Sequence, residues 1–403
     1  MNLSYQIFAS LVLSVVVGLA LGDSAAGWVN AWIAPIGNMF INLIKMVIVP
    51  VVFCSLVVGM TSMGDMKKLG RIGIKTLAIY MVTTAVAIVI GFAVAGVIQP
   101  GIGMALPTEA APKIKEAPSF MQVLVNMIPS NPIASMAKAD ILPIIIFALF
   151  VGAGIISVGG KRAEMLTSFF DASAEVCYRI IGMVMRTAPV GVFCLLLPVV
   201  VKNGPKVLLP LLTVIACSAI GSVLHAVIVY SGMTALSAHM SPLKFFKGMS
   251  EAMAIAFTTC SSAGSLPINM KNIQEKLGVR KDIASFVLPL GATINMDGTA
   301  LYMGVCSLFI ANVFGITLTF DQMITIILTG TLASIGTAGV PGAGLIMLAM
   351  VLQSVGLPIE GLALVAGIDR VLDMFRTTLN ITGDAAVAIT VNATEKDNPP
   401  ASE

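Results

Sequence analysis

Apolar positions along the 403 residues gather into long runs, near 5–22, 38–61, 76–98, 141–158, 165–201, 207–237, 283–315 and 357–391. A bilayer span takes roughly 20 predominantly apolar residues, so these eight runs predict eight transmembrane helices. Two further segments, 251–271 and 321–357, are shorter and broken. The first contains Thr258-Thr259-Cys260-Ser261-Ser262-Ala263-Gly264-Ser265-Leu266-Pro267. The second contains Ser334-Ile335-Gly336-Thr337-Ala338-Gly339-Val340-Pro341-Gly342-Ala343-Gly344. Each has apolar arms on both sides of a small-residue and proline interruption. That interruption leaves backbone groups unpaired in hydrocarbon, which is tolerated only inside protein or beside a wet cavity. Small residues also serve close helix packing, but two such segments, each followed by a charged span, predict two re-entrant helical hairpins that meet at a site.

The last run is the most polar of the eight. It contains Asp369-Arg370-Val371-Leu372-Asp373-Met374-Phe375-Arg376-Thr377-Thr378-Leu379-Asn380-Ile381-Thr382-Gly383-Asp384. On a helix with Asp369 at zero, Asp373 falls at about 40°, Arg376 at about −20°, Thr377 at about 80°, Asn380 at about 20° and Asp384 at about 60°. All share one face. Arg370, at about 100°, stands at its edge, while Val371, Leu372, Phe375 and Leu379 cover the opposite side.

Composition agrees with an all-α polytopic membrane protein: 57% of residues are hydrophobic and 11% charged, against about a quarter charged in a soluble domain. The formal net charge of +3 is set mainly by basic loops and shows no nucleic-acid footprint. Lys67, Lys68, Arg71 and Lys75 follow the second run, Lys161 and Arg162 the fourth, and Lys244 and Lys247 the sixth. By the positive-inside rule these loops are cytoplasmic, which puts both termini inside. Met1-Asn2-Leu3-Ser4 has no basic region and leads into a run of full span length, as an uncleaved first helix does. The polar stretch 101–119 is then an outer loop, and the tail from Asn392 is expected to be disordered. Arg179 and Arg186, in the long fifth run, are expected to snorkel to an interface. The six cysteines are scattered singly, without the spacing of disulfides or metal ligands. His225 and His239 are isolated, and His225 is expected to be a hydrogen-bonded core residue.

The seventh run is interrupted by Asn295-Met296-Asp297-Gly298-Thr299. A glycine at mid-membrane depth is expected to loosen the helix and free carbonyl oxygens, which suit hard cations, and the aspartate adds charge. Asp297, Asp369, Asp373 and Asp384 against Arg370 and Arg376 make four negative charges to two positive. A carboxylate at the bilayer centre costs about 2.5–3.5 kcal/mol. Bound cations or protons must therefore make up the difference. An arginine at the same level suits bidentate capture of a carboxylate. If the substrate is itself an anion, its entry makes the cation requirement stricter, and ion and substrate binding become coupled.

These motifs resemble those of the dicarboxylate/amino acid:cation symporter family, which includes the prokaryotic sodium–aspartate transporters and the animal excitatory amino-acid transporters. The Ser-rich hairpin tip, Asn-Met-Asp-Gly-Thr, Gly-Val-Pro-Gly-Ala-Gly and Asp-x-x-x-Asp-x-x-Arg-Thr-x-x-Asn-x-x-Gly-Asp occur in the family's order, over essentially the whole chain. The resemblance implies an elevator-type homotrimer in the prokaryotic inner membrane, a transporter and not an enzyme, in contact with membrane lipid. It implies scaffold at 1–75 (spans one and two) and 101–203 (spans four and five). The transport domain would lie at 76–100 (span three) and 204–391 (span six to span eight, with both hairpins), followed by a cytoplasmic tail at 392–403. Position by position, it implies that Arg376 takes the substrate's side-chain carboxylate and Asp373 its amino group. Thr299, Thr377 and Asn380 would add hydrogen bonds, and the tips around Ser261, Ser262, Val340 and Gly344 would close over it. One sodium site would use Asp384, Asn380, Gly291 and Asn295. A second would use Thr293, Ser334, Ile335 and Thr337. A third would use Asp297 and Asn295 with Tyr80, Thr83 and Thr84. The chain departs from the family's pattern in having Cys260 at a hairpin position where archaeal relatives resemble one another in having arginine, and in having Arg370 a little off the family's usual face on the last helix. Thr84 stands where serine is more usual.

The resemblance implies sodium-driven uptake of L-aspartate or L-glutamate. A proton-coupled, C4-dicarboxylate or neutral amino-acid carrier of the same family is the alternative, and Asp373 argues against a substrate without an amino group. An intramembrane aspartyl protease could also use paired aspartates, but no Gly-x-Gly-Asp segment occurs. Arg376 would also hold both acids ionised where one must be protonated. A channel is the third possibility, and two closing hairpins argue for alternating access instead.

Overall fold

Lipid offers the backbone no hydrogen-bond partners, and the apolar runs fold accordingly as helices. The computed structural model describes residues 3–62, 71–102, 104, 125, 128–334 and 343–395. Every regular element among them is helical. In chain order these are α1 (Leu3–Leu21), α2 (Ala26–Trp32), α3 (Ala34–Ser62), α4 (Arg71–Ile98), α5 (Pro132–Lys138), α6 (Ile141–Val158), α7 (Gly160–Arg186) and α8 (Ala188–Asn203). There follow α9 (Leu208–His225), a π turn (Ala226–Tyr230), α10 (Ser231–Ala238), α11 (Pro242–Thr259), α12 (Ser262–Glu275), α13 (Lys281–Ile294), α14 (Asp297–Val313), α15 (Phe320–Ala333), α16 (Ala343–Ser354) and α17 (Leu362–Thr394).

Three stretches are each long and apolar enough to cross a membrane, Arg71–Ile98, Leu209–Ala238 and Ile283–Val313, and two bent helix pairs also qualify. One of those pairs adds a break that the sequence reading did not include. The run at 165–201, read as one span, is divided into α7 and α8, bent by 55° about Thr187. Pro189 in the first turn of α8 has no backbone N–H to continue the ladder of α7. None of the six cysteines is in a disulfide.

The first broken segment is a hairpin of α11 and α12 whose turn is only Cys260 and Ser261. Cys260 takes a left-handed conformation (φ 53°), and Ser261 caps α12 by accepting from Gly264 N at 3.0 Å. Pro267 therefore lies within α12, not in the turn. The second is α15 and α16, packed on each other, and its tip lies outside the described residues.

Packing falls into two groups. α3 lies against α6, α7 and α8, and α1 lies on α8. α4 packs on α14, α9 and α15, while α17 is enclosed by α9, α10, α11, α13 and α14. The groups touch where α17 meets α1 and α8, and where α16 meets α3 and α6.

The tail expectation needs correction at its start, because Asn392, Ala393 and Thr394 continue α17. Glu395 follows, buried, accepting from Arg71 Nη2 at 2.6 Å and pairing with Lys75 at the start of α4. The two cations hold its carboxyl below the ordinary carboxylate range. A lowered folded-state pKa contributes stability above the unfolded value of about 4.3 and loses it as pH falls through the lowered one. Glu395→Gln should therefore lower the melting temperature at pH 7, and the difference from the parent should shrink on acidification below about pH 4. Thermal melts of both proteins across that range check this.

Candidate functional site

The polar face of α17 is turned inward: Asp369, Asp373, Arg376, Thr377, Asn380 and Asp384 are all buried. A guanidinium only 3% exposed must be paired. Arg376 donates through Nη1 to Asp369 Oδ1 at 2.7 Å, and its Nη2 lies 2.9 Å from Asp373 Oδ1. Its Nε is 3.3 Å from that same Asp373 oxygen, and its Cζ lies 4.4 Å from the centre of the Tyr302 ring. Thr377 donates to Asp373 Oδ1 at 3.4 Å. The two carboxylates thus hold one planar cation between them, its fork directed across α17. Gly344, at the start of α16, lies so close that a Cβ there would strike the guanidinium, so the second hairpin covers this residue.

Arg370 does not join them. It is partly exposed, and its Nη2 reaches the Thr258 carbonyl at 3.4 Å, near the first hairpin's turn. Of the two arginines, Arg376 is the one held by the Asp369 and Asp373 carboxylates, while Arg370 makes its contact near the first hairpin's turn.

Asn295 and Met296 break the seventh run between α13 and α14, with Asn295 in extended conformation. The last carbonyls of α13 have no partner within their helix. Gly298 is not what loosens it, contrary to expectation: it lies inside α14, where a Cβ would collide with the backbone of Arg376. Its function is close approach of α14 to α17, and there its N–H donates to Asn380 Oδ1 at 2.7 Å. Gly291 does similar work on α13, since a Cβ there would occupy the place of the Asp384 carboxylate and the Tyr80 hydroxyl.

Two carboxylates therefore sit apart from Arg376, each in a shell of oxygen and amide groups. Asn295 Nδ2 donates to Asp384 Oδ1 at 2.9 Å and lies 3.2 Å from the Asn380 carbonyl. Asn295 Oδ1 is buried and has no hydrogen-bond partner. Asp297, fully buried, accepts at Oδ1 from Thr84 at 2.8 Å and Thr83 at 3.2 Å, and at Oδ2 from Tyr230 at 2.8 Å. Oxygen donors, one of them an unsatisfied buried acceptor, fit a small hard cation. Among the described residues no group of three His, Cys, Asp or Glu gathers as a transition-metal site would require.

The other predicted residues are placed as follows. Tyr80 is buried, its hydroxyl beside the Asp384 carboxylate at Gly291, but that hydroxyl donates to the Val287 carbonyl at 3.0 Å and not to Asp297. Thr299 is buried on the first turn of α14, 3.9 Å from Met296 Sδ, which Asn380 Nδ2 approaches at 3.3 Å. Ser262 is buried behind the hairpin turn and Ser334 at the end of α15, while Thr293 is exposed on the last turn of α13. Ile335, Thr337 and Val340 lie outside the described residues.

Sequence reasoning missed three participants. Tyr302 stacks on Arg376, and Tyr230 holds Asp297. His225, expected as a hydrogen-bonded core residue, is buried with neither ring nitrogen hydrogen-bonded, its Nε2 3.4 Å from Asp297 Oδ2. No spacing in the chain signals these contacts, because each joins helices far apart in sequence.

A family model described as the sodium:dicarboxylate symporter family matches residues 3–394. The chain is 36% identical over 403 residues to the proton/sodium-glutamate symport protein of Geobacillus stearothermophilus, covering 98% of this chain and 94% of that protein. It is 37% identical over 404 residues to the proton/glutamate-aspartate symporter of Escherichia coli, covering 97% and 92%. It is also 36% identical over 402 residues to C4-dicarboxylate transport protein 1 of Ralstonia nicotianae, again covering 97% and 92%.

Proposed function

The chain belongs to the sodium:dicarboxylate symporter family, and from that premise we propose that it carries L-aspartate or L-glutamate inward together with sodium. The observation that carries this reading is the contact between Arg376 and Asp373 at 2.9 Å on a buried face. The pair offers a guanidinium for a carboxylate and a carboxylate for an amine. A C4-dicarboxylate has no amine, and would leave Asp373 facing a second anion. That reading is the alternative because a relative 36% identical is named for such substrates.

Arg376 is occupied by Asp369 and Asp373 in this arrangement, so a substrate carboxylate must take over one of those bonds. Asp373, released on one side, then turns an oxygen to the amine. Thr377, Asn380 and Thr299 line the same face, and Ser261, Ser262, Val340 and Gly344 on the two hairpins close it from water. Sodium is carried as a co-substrate: its charge offsets the carboxylates that Arg376 leaves uncompensated. Asp384, Asn380, Asn295 and Gly291 form one candidate position, Asp297, Asn295, Tyr80, Thr83 and Thr84 another, and Thr293, Ser334, Ile335 and Thr337 a third. Asn380 borders both substrate and cation groups, and coupling follows from that shared residue.

The same proposal includes eight spans and two re-entrant hairpins in an inner-membrane homotrimer with both termini cytoplasmic. The packing of α1, α3, α6, α7 and α8 as one group and of α4 and α9–α17 as the other supports a scaffold at 1–75 and 101–203. It likewise supports a transport domain at 76–100 and 204–391 that moves as an elevator.

Uptake by proteoliposomes of labelled aspartate, glutamate, succinate and serine tests the reading. Aspartate and glutamate should accumulate only under an inward sodium gradient, and succinate should neither accumulate nor compete. Undiminished aspartate uptake with potassium replacing sodium on both sides would refute sodium coupling.

A further inference from the structure

The π turn at Ala226–Tyr230 interrupts the α-helical ladder in the middle of the sixth apolar run. Such bulges shift the register of the face that follows and occur frequently at functional sites. This one ends on Tyr230, fully buried, whose hydroxyl lies 2.8 Å from Asp297 Oδ2 and 3.2 Å from the Leu379 carbonyl of α17. His225, at the other end of the turn, packs edge-on against the Tyr230 ring with centroids 4.9 Å apart. Thr83 stands in the same situation on α4, its hydroxyl 3.2 Å from Asp297 Oδ1 and 3.2 Å from the Tyr80 carbonyl.

A hydroxyl carries one proton and two acceptor lone pairs. Each of these two can therefore give its proton to the carboxylate or to a backbone carbonyl, and in the second setting its lone pairs face the carboxylate side. We infer that Tyr230 is a positioning residue and switchable oxygen ligand of the Asp297 cation site. Its proton lies on Asp297 when no cation is held and on the Leu379 carbonyl when one is. The proposal rests on the sodium reading of that site. Without the switch, either Asp297 would be buried short of donors when the site is empty, or a donor would point at the cation when it is filled. His225, its ring edge-on against Tyr230 and its Nε2 3.4 Å from Asp297 Oδ2, is the wall that holds the Tyr230 ring in place. Leu379 directly precedes Asn380, so the hydroxyl's second setting bears on the part of α17 that faces the substrate.

The test is the melting temperature of purified, substrate-free protein titrated with sodium at constant ionic strength in choline. The parent should show a saturable rise. Tyr230→Phe, which keeps the ring against His225, takes an oxygen ligand away from the filled site and should raise half-saturating sodium about tenfold, because the lost oxygen faces a full charge there. Because sodium and aspartate binding are coupled, the aspartate KM of the variant should exceed the parent's most at limiting sodium and draw closer to it as sodium rises, a sodium dependence that general loosening of the fold does not produce. Half-saturation equal to the parent's overturns the assignment of Tyr230 while leaving sodium coupling intact. A parent protein with no sodium-dependent rise overturns both. Should Tyr230→Phe fail to fold, 3-fluorotyrosine at position 230 retains the hydroxyl with a less basic oxygen. It should raise half-saturation about threefold, and an unchanged value overturns the assignment.

Discussion

Arg376→Ala should abolish uptake of aspartate and glutamate while leaving some binding of neutral amino acids. Two separate costs set the size of the effect. A bidentate, charge-assisted contact to a carboxylate in a dry site is worth more than the ~1.5–3 kcal/mol of a single hydrogen bond to a charged group, so the loss in acidic-substrate affinity should exceed about 100-fold. The second cost falls on the protein itself. Asp369 and Asp373, now both bonded to Arg376, would be left buried without their cation, and breaking a buried pair from one side costs ~3–5 kcal/mol. The variant should therefore also melt lower than the parent. The double variant Asp369→Asn, Arg376→Ala separates the two costs. It should recover much of the melting temperature and none of the acidic-substrate uptake. Arg376→Lys keeps the charge but has no planar fork to span two partners, so it should fall between parent and Arg376→Ala. Transport of aspartate at parental rates by Arg376→Ala would refute the assignment of this side chain to the substrate.

Asp384→Asn should uncouple substrate binding from sodium. The carboxylate is 1% exposed and accepts from the Asn295 amide at 2.9 Å, and among the described residues no cationic side chain pairs with it. An asparagine of the same shape can turn its carbonyl toward that amide, which keeps the fold and removes the charge. Losing a full charge from a cation's inner shell is expected to weaken sodium binding there by at least ~100-fold, since even a partly screened interaction in a low-dielectric site exceeds ~3 kcal/mol. Aspartate affinity measured against sodium concentration should become shallow or flat, where the parent's rises steeply. A parental sodium dependence in Asp384→Asn would remove this carboxylate from the cation sites.

Much of this architecture is legible in the chain for one reason: hydrocarbon enforces simple rules. An unpaired backbone group or an unexplained charge is costly there, so every broken apolar segment and every aspartate in a span points to something inside the protein. The face shared by Asp369, Asp373, Arg376, Asn380 and Asp384 follows from helical spacing, and burial of all five agrees with it. The places where sequence reasoning fails are equally instructive. The run at 165–201 has the composition of one long span, and apolar content cannot reveal a 55° bend. Gly298 has the same one-letter appearance whether it loosens a helix or lets another helix approach, and only the position of the Arg376 backbone distinguishes these. The helical wheel puts Arg370 at the edge of the face that Arg376 shares, but it does not show that Arg376 is clasped by two carboxylates while Arg370 reaches the Thr258 carbonyl.

What the sequence determines by itself is which residues lie on which face of each helix and which segments cannot remain in lipid, because both depend on local periodicity and on the solvent. What the tertiary structure decides is which groups meet across helices. Asp297 is held by Thr83 and Thr84 from more than 200 positions earlier and by Tyr230 from 67, and Asn295 reaches Asp384 across 89. Such contacts depend on how ridges, glycine gaps and a π turn bring distant helices together, and no spacing along the chain records that distance.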